Sequence, residues 1–299
     1  GHTDSSFTYD QNSGGQNGLG RLTTMTDESG TTSYTYDLRG HVASMTTNRS
    51  SIIRTFSFSH DNDGKLDQIT YPSGTVVDYS YDAAGRLSSI DVTKGTTTTV
   101  VNNITYEPFG PAISWDYGNG LTADLLVDSD YRIESVTHGT IMDVGYLYDD
   151  ADNILDFDDL LSTYDEDFVY DDLNRLTDVD GDYGIWTFQY DATGNRTYAT
   201  QGLLSDTYSY ISGGNRLSII VGDHPASYTY DANGNVIDDG TYDFFYGDDN
   251  RLYRIDDAGG TIAKYTHNAH GERVKKDTGT VTYYHYDVSG RLLAEHLDP

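Results

Sequence analysis

Residues 79–90 read YSYDAAGRLSSI, and this segment has the pattern of two β-strands joined by a tight turn. Tyr79 and Tyr81 alternate with a small polar residue, which is typical of a half-buried strand. The Asp82 carboxylate can accept hydrogen bonds from backbone N–H groups further along the chain, which starts a turn. Gly85 adopts positive φ at low cost, as a short hairpin loop requires. The segment therefore predicts a β-hairpin.

The same pattern recurs along the whole chain of 299 residues, at a spacing of about 21 residues. The clearest copies contain the residues that we predict to be structural turn anchors: Tyr81, Asp82, Gly85, Arg86, Tyr190, Asp191, Gly194, Tyr230, Asp231, Gly234, Tyr286, Asp287, Gly290 and Arg291. Two strands of about 6–8 residues with two turns fill one such period. Each copy is then one hairpin, and successive hairpins can pair edge to edge.

This arithmetic predicts an all-β chain, built as one long antiparallel sheet of tandem β-hairpin repeats with roughly 28 strands. Strongly twisted sheets of that length curl or split, so we expect a spiral or cocoon-like shell. No Pro/Ser-rich linker or block of like charges divides the sequence. We therefore expect a single repeat domain over residues 1–299, with about 14 hairpins, as a segment of a larger protein.

The arginine after the turn glycine or asparagine recurs with the turn, as in Gly85-Arg86 and Asn174-Arg175. Such an arginine can reach the aspartate of a neighbouring turn. The repeated spacing predicts ladders of ion pairs along the edge of the sheet, with a structural rather than a catalytic role for the arginines.

The composition excludes several classes of partner. The formal net charge is −30, whereas binding to nucleic acid phosphates needs a basic face, so we expect no nucleic acid partner. No apolar run approaches the roughly 20 residues that span a bilayer, so we expect no membrane insertion. The chain has no cysteine and therefore no disulfide framework.

Several segments resemble the YD-repeat, or RHS-repeat, family. The pattern Tyr-x-Tyr-Asp-x-x-Gly-Arg-Leu occurs at residues 79–87 and 284–292, and Tyr-Asp-x-x-Gly-Asn occurs at 190–195 and 230–235. The segment YEPFGPA at 106–112 is similar to a variant unit of RHS proteins. The resemblance extends over essentially the whole chain. It implies a β-strand shell that winds around a hollow interior.

The resemblance also implies a function. Members of the family include the encapsulating parts of insecticidal toxin complexes, bacterial polymorphic toxins and teneurin adhesion proteins. By this resemblance the chain is expected to be a non-enzymatic structural β-shell segment of a secreted or cell-surface protein. Its partners would be protein cargo or neighbouring domains of the same polypeptide, which the shell encloses or presents.

A carbohydrate-binding or polysaccharide-degrading module is the alternative hypothesis. The chain has 27 tyrosines, and exposed aromatic rings can hold sugars. Trp115, Tyr117 and Trp186 on one sheet face are the candidate binding residues, and His138 is a nearby acid–base candidate. However, tyrosine at repeat-locked positions is also explained by β propensity and cross-strand packing. We assign no catalytic residue, and an enzymatic role is the less favoured reading.

Two kinds of metal site are considered, and no cofactor is expected otherwise. His267 and His285 lie about one repeat apart, so they could be cross-strand neighbours that bind a divalent metal. The same two histidines could instead replace anchor-region tyrosines in packing. Oxygen-rich turns such as 61–64 and 178–182 suggest calcium, but neither has the full spacing of a known calcium loop.

Overall fold

A computed structural model describes residues 5–12 and 15–297, and within these ranges the chain is built from strands and turns without a helix. Consequently the described residues include no helix that is long and apolar enough to cross a membrane. The predictions of an all-β fold and of a long antiparallel sheet are confirmed. The described residues form 29 strands, close to the roughly 28 that the repeat length predicts.

The first twenty-one strands belong to one antiparallel sheet. They are β1 Ser6–Tyr9, β2 Leu22–Asp27, β3 Gly30–Tyr36, β4 Val42–Arg49, β5 Ile52–His60, β6 Leu66–Thr70, β7 Val76–Tyr81, β8 Leu87–Lys94, β9 Thr96–Tyr106, β10 Ala112–Tyr117, β11 Thr122–Val127, β12 Ile133–His138, β13 Met142–Tyr148, β14 Ile154–Asp159, β15 Asp165–Tyr170, β16 Leu176–Gly181, β17 Trp186–Tyr190, β18 Arg196–Gln201, β19 Leu204–Tyr210, β20 Leu217–Gly222 and β21 Ala226–Ser227.

The last eight strands form a second antiparallel sheet. They are β22 Thr229–Tyr230, β23 Val236–Asp238, β24 Asp243–Tyr246, β25 Leu252–Asp257, β26 Gly260–His267, β27 Arg273–Asp277, β28 Val281–Tyr286 and β29 Leu292–Leu297. The chain divides into two compact units: unit 1 comprises residues 1–78, 93–95 and 229–299, and unit 2 comprises 79–92 and 96–228. The single domain over 1–299 stays a prediction.

Within each sheet, strands pair antiparallel with neighbours in sequence, and an irregularity at the repeat turn sets the register. In β17 and β18, for example, Gln189 lies opposite Tyr198 but Tyr190 lies opposite Arg196, so the register shifts at the anchor tyrosine. The turn residue Gly194 has φ of 89°. This is a three-residue hairpin loop with a left-handed residue and a bulge, a geometry that matches the natural twist of paired strands.

In unit 1, the core forms between the first strands and the last strands of the chain. Tyr34, Met45 and Phe56 are buried on adjacent strands of the first sheet, and Leu293 and Ala294 of β29 pack against them. Burial of these side chains supplies the main hydrophobic stabilisation of this unit. A hydrogen bond also joins the two sheets in this unit. Tyr283 donates its hydroxyl proton to Ser50 Oγ at 3.1 Å.

In unit 2, one face of the sheet carries a row of buried small residues. Ala123, Val144, Val179 and Ala199 lie on strands spread across the unit, and each is at most 5% exposed. The registers place Trp115 opposite Ala123 and Val179 opposite Trp186. Directly opposed residues share a face, so both tryptophans lie on the apolar face of unit 2.

Not every repeat turn has glycine or asparagine at its left-handed position, and this generates a stability prediction. Phe109 has φ of 81° and its side chain is fully exposed. A left-handed conformation costs a residue with a Cβ about 1–2 kcal/mol, while glycine costs more unfolded-state entropy. We expect Phe109→Gly to raise the free energy of unfolding by about 0.5–1 kcal/mol in urea denaturation.

Gly194→Ala is the matched control, because nothing lies within 4 Å of the added Cβ and only the φ of 89° opposes it. This variant should lower the free energy of unfolding by about 1 kcal/mol. If both substitutions change the stability in the same direction, backbone strain does not govern these turns.

Candidate functional site

The candidate functional site is the repeat turn itself, since the same pattern of charged residues recurs there along the chain. In the turn of residues 82–86, Asp82 Oδ1 accepts hydrogen bonds from the N–H groups of Ala84 and Arg86, each at 2.9 Å. The N–H of Gly85 donates to the Asp82 carbonyl at 2.9 Å. Asp82 Oδ2 accepts from Arg86 Nε at 2.9 Å. The aspartate therefore closes the turn with both oxygens.

Each turn is then bound to the following repeat through the anchor tyrosine. Arg175 is paired with Asp171 at 2.6 Å, and its guanidinium carbon lies 4.8 Å from the centre of the Tyr190 ring. Tyr190 donates its hydroxyl proton to the carbonyl of Leu176 at 2.7 Å. The tyrosine therefore holds both the charged side chain and the backbone of the preceding turn.

This connection recurs along the chain, although the number of residues between the two partners varies from repeat to repeat. The arginine–tyrosine contact has distances of 4.5 Å for Arg86–Tyr106 and 4.8 Å for Arg132–Tyr148. The tyrosine hydroxyl donates to a preceding carbonyl in the pairs Tyr36–Leu22, Tyr106–Leu87, Tyr148–Ile133, Tyr170–Ile154, Tyr210–Arg196 and Tyr286–Arg273. Sequence analysis identified the tyrosines but did not predict this bond between repeats. Their fixed position in the period was the available signal.

The predicted ladder of ion pairs needs a correction. The arginines pair first with the aspartate of their own turn, as Arg175 does with Asp171. Arg132 combines its own Asp128 at 2.7 Å with the next turn's Asp152, also at 2.7 Å. Arg175 instead reaches the next turn through the backbone carbonyl of Asp191, at 3.0 Å.

Asparagine performs the same task where it replaces arginine. Asn195 Nδ2 donates to Asp191 Oδ2 at 2.9 Å and to Asn215 Oδ1 of the next turn at 3.2 Å. Asn235 repeats this arrangement with Asp231 at 2.8 Å and Asn250 at 2.5 Å. Successive turns are thus linked by hydrogen bonds from both charged arginine and neutral asparagine side chains.

The turn contacts stabilise the ionised aspartates. The hydrogen bond from the Asn195 side chain, followed by that from Thr193, lowers the pKa of Asp191 to about 2. The Arg175 side chain is the main cause that lowers the pKa of Asp171, and the backbone N–H of Arg86 is the main cause for Asp82. A carboxylate that accepts several N–H bonds favours its charged form.

The candidate carbohydrate residues are only partly brought together. The Trp115 ring lies 6.1 Å from Tyr117 and 6.3 Å from His138, and Tyr117 stacks on His138 at 5.7 Å. Trp186 stacks instead on Phe188 at 6.0 Å. Six strands, β11 to β16, separate the two tryptophans along the sheet. Trp115, Tyr117 and His138 form one aromatic cluster, and Trp186 belongs to another.

The candidate metal ligands His267 and His285 lie on β26 and β28, with β27 paired between them. His285 is 2% exposed, and its two ring nitrogens contact Thr47 Oγ1 and His296 Nδ1, both at 3.1 Å. Burial, with nearby cationic Arg49 as a further cause, lowers the pKa of His285 to about 3. The structure therefore uses His285 as a neutral packing residue and does not place His267 on an adjacent strand.

Comparisons with known proteins agree with the repeat geometry. The family model described as "Teneurin YD-shell" matches residues 4–101. The tRNA3(Ser)-specific nuclease WapA of Bacillus spizizenii is 27% identical over 311 aligned positions, which cover 95% of this chain and 11% of the relative. The tRNA nuclease WapA of Bacillus subtilis is 27% identical over 233 positions, covering 76% and 8%. The chain thus spans about a tenth of these relatives.

Solved structures show the same fold. The Photorhabdus luminescens Tc holotoxin pore has a TM-score of 0.80 and 17% identity, covering 94% of this chain and 17% of that one. A TcdB2-TccC3-Cdc42 structure has a TM-score of 0.71 and 16% identity, covering 98% and 18%. The resemblance noted in the sequence is therefore confirmed in the fold across nearly the whole chain, at a fraction of the length of those structures.

The tyrosine link between repeats generates a stability prediction. Tyr190→Phe removes the hydroxyl that reaches Leu176 and keeps the ring under Arg175. We expect the free energy of unfolding to fall by about 0.5–1.5 kcal/mol in urea denaturation. Tyr146→Phe is the control, because no hydrogen bond of the described residues involves the Tyr146 hydroxyl; it should have a smaller effect. Equal losses would mean that the hydroxyl bond does not join repeats.

The lowered aspartate pKa values predict a loss of stability in acid. Asp191 ionises at about pH 2 in the folded chain, whereas an unfolded aspartate has a pKa near 3.9. Its contribution is present above about pH 4 and is lost as the pH falls toward 2. We expect Asp191→Asn to melt lower than the unmodified chain near neutral pH, with the difference narrowing in acid. A constant difference across this range would contradict the assignment.

Proposed function

We propose that the chain, which has the fold of the YD-shell structures it resembles, is a structural wall segment of a β-shell within a longer polypeptide. The shell would enclose or present another part of that polypeptide or a protein cargo. The observation that carries the proposal is the contact between repeats, in which the tyrosine of one hairpin holds the turn of the hairpin before it. That contact stabilises an extended wall, since every repeat supports its neighbours.

The two faces of the unit 2 sheet support this role. The half-buried Trp115 and Trp186 lie on the apolar face, and their rings stand beside the buried row from Ala123 to Ala199, so the tryptophans are the part of this face that can contact a polypeptide. The turns present ionised aspartates, and the chain as a whole has a net charge of −30. An apolar face suits contact with an unfolded or partly folded polypeptide, whereas an acidic surface favours solubility. The proposal includes a secreted or cell-surface location, as the likeness to a toxin complex suggests.

Protection from protease in the full-length protein tests the proposal. The segments proposed as cargo should be cut much more slowly in the intact protein than when they are produced alone. The double variant Arg175→Ala and Tyr190→Phe breaks one contact between repeats and should speed their cleavage. Leu173→Ala is the control, because this side chain is 68% exposed in the same turn as Arg175. If the intact protein gives no protection, the shell proposal is wrong.

A further inference from the structure

In the repeat that begins with the turn of residues 37–41, histidine holds both the arginine position and the tyrosine position, and the two histidines contact each other. In the turn of residues 37–41, His41 stands where Arg86 and Arg175 stand in their turns. The next anchor position, which holds Tyr106 or Tyr190 in those repeats, is His60. The two imidazole rings stack with centres 4.6 Å apart. Histidine therefore replaces both members of the arginine–tyrosine pair, while the turn aspartate, Asp37, is retained.

The retained Asp37 has one oxygen committed to the turn and one directed at the histidine. Asp37 Oδ1 accepts the N–H groups of Arg39, Gly40 and His41 at 2.8, 2.6 and 2.9 Å. Asp37 Oδ2 lies 3.0 Å from His41 Nδ1. The turn therefore fixes the carboxylate from one side and leaves Oδ2 in a defined position beside the imidazole.

We propose that Asp37, His41 and His60 form a binding site for a transition-metal dication of the zinc class. One ligand atom from each residue lies within 4.8 Å of the other two. Two imidazoles and one carboxylate form a donor set that suits zinc, whereas calcium and magnesium prefer all-oxygen sites. The site joins two successive repeats, as the arginine and tyrosine do elsewhere.

The distances fit this assignment with a small side-chain adjustment. Two ligands at about 2.0–2.1 Å from a tetrahedral ion lie about 3.3 Å apart, close to the 3.0 Å between Asp37 Oδ2 and His41 Nδ1. The His60 ring makes no hydrogen bond with the described residues, so its rotation toward the other two ligands breaks none. Binding through His41 Nδ1 uses the neutral tautomer that carries its proton on Nε2, so the hydrogen bond to Asp37 Oδ2 is exchanged for two bonds to the ion.

The surroundings leave space for a further ligand. A cavity of about 340 Å³ is lined by His41 and His60 on one side and by Asp287 and Ser289 of the last repeat turn on another. All of these residues belong to unit 1. Phe58 and Met45 also line the cavity and exclude water from part of it. The fourth coordination position would face this cavity and accept a water molecule.

The repeat itself supplies the substitutions that test the site. His41→Arg with His60→Tyr restores the residues of the other repeats, so this double variant should fold while lacking both imidazole ligands. Titration calorimetry with zinc chloride in a non-chelating buffer should detect one tight equivalent in the unmodified chain. The double variant should lose at least about tenfold in affinity, although its acidic surface is otherwise unchanged.

Thermal melting gives a second measurement. Zinc at about 100-fold excess over its dissociation constant should raise the melting temperature of the unmodified chain by roughly 5 °C, and magnesium or calcium should not. The double variant should show no such rise. Anomalous diffraction from zinc-soaked crystals should place the ion about 2.1 Å from atoms of Asp37, His41 and His60.

His267→Tyr is the matched control, since His267 also occupies an anchor position and precedes a similar turn. It should leave the zinc affinity unchanged. The proposal is overturned if the double variant binds zinc as tightly as the unmodified chain, or if His267→Tyr abolishes binding instead. It is also overturned if anomalous density appears only at acidic surface turns.

Discussion

The fold depends on the capture of backbone N–H groups by the aspartate that begins each repeat turn. In the turn of residues 191–195, Asp191 accepts the N–H groups of Thr193 and Asn195 at 2.8 and 2.9 Å. These bonds fix a short loop whose register shift places the anchor tyrosine against the turn before it. A single hairpin is marginal in water, so the tyrosine and arginine contacts with the next repeat provide much of its stability.

The same hairpin repeat forms a different packing arrangement in each of the two compact units. In unit 1, strands from the start and the end of the chain pack face to face around Phe56 and Met45. His285 enters that core as a neutral ring, with its nitrogens bonded to Thr47 and His296. Unit 2 has a single sheet whose apolar face carries small buried residues and half-buried tryptophans. A repeat can therefore form a packed core or a continuous wall, depending on what faces it.

Departures from the repeat are informative because the regular arrangement is so constant. In the turn of residues 107–111 the left-handed residue is Phe109, one position before the turn glycine that has this conformation in most other turns. The His41 and His60 pair replaces an arginine and a tyrosine together, which preserves a contact between the two repeats and changes its chemistry. Because each turn contacts the next anchor position, a change at one of the two positions alters the requirements at the other.

The sequence by itself determined the strand class, the period and the position of every clear turn, because alternation, aspartate and glycine act locally through backbone geometry. It also identified Tyr190 and Arg175 as structural residues. Only the tertiary structure decided their partners, since a tyrosine hydroxyl can select the carbonyl of Leu176 only after the two hairpins have paired. The separation of His267 from His285 by β27, and the meeting of the first and last strands in unit 1, arise from pairing and packing over long distances. No local pattern contains that information.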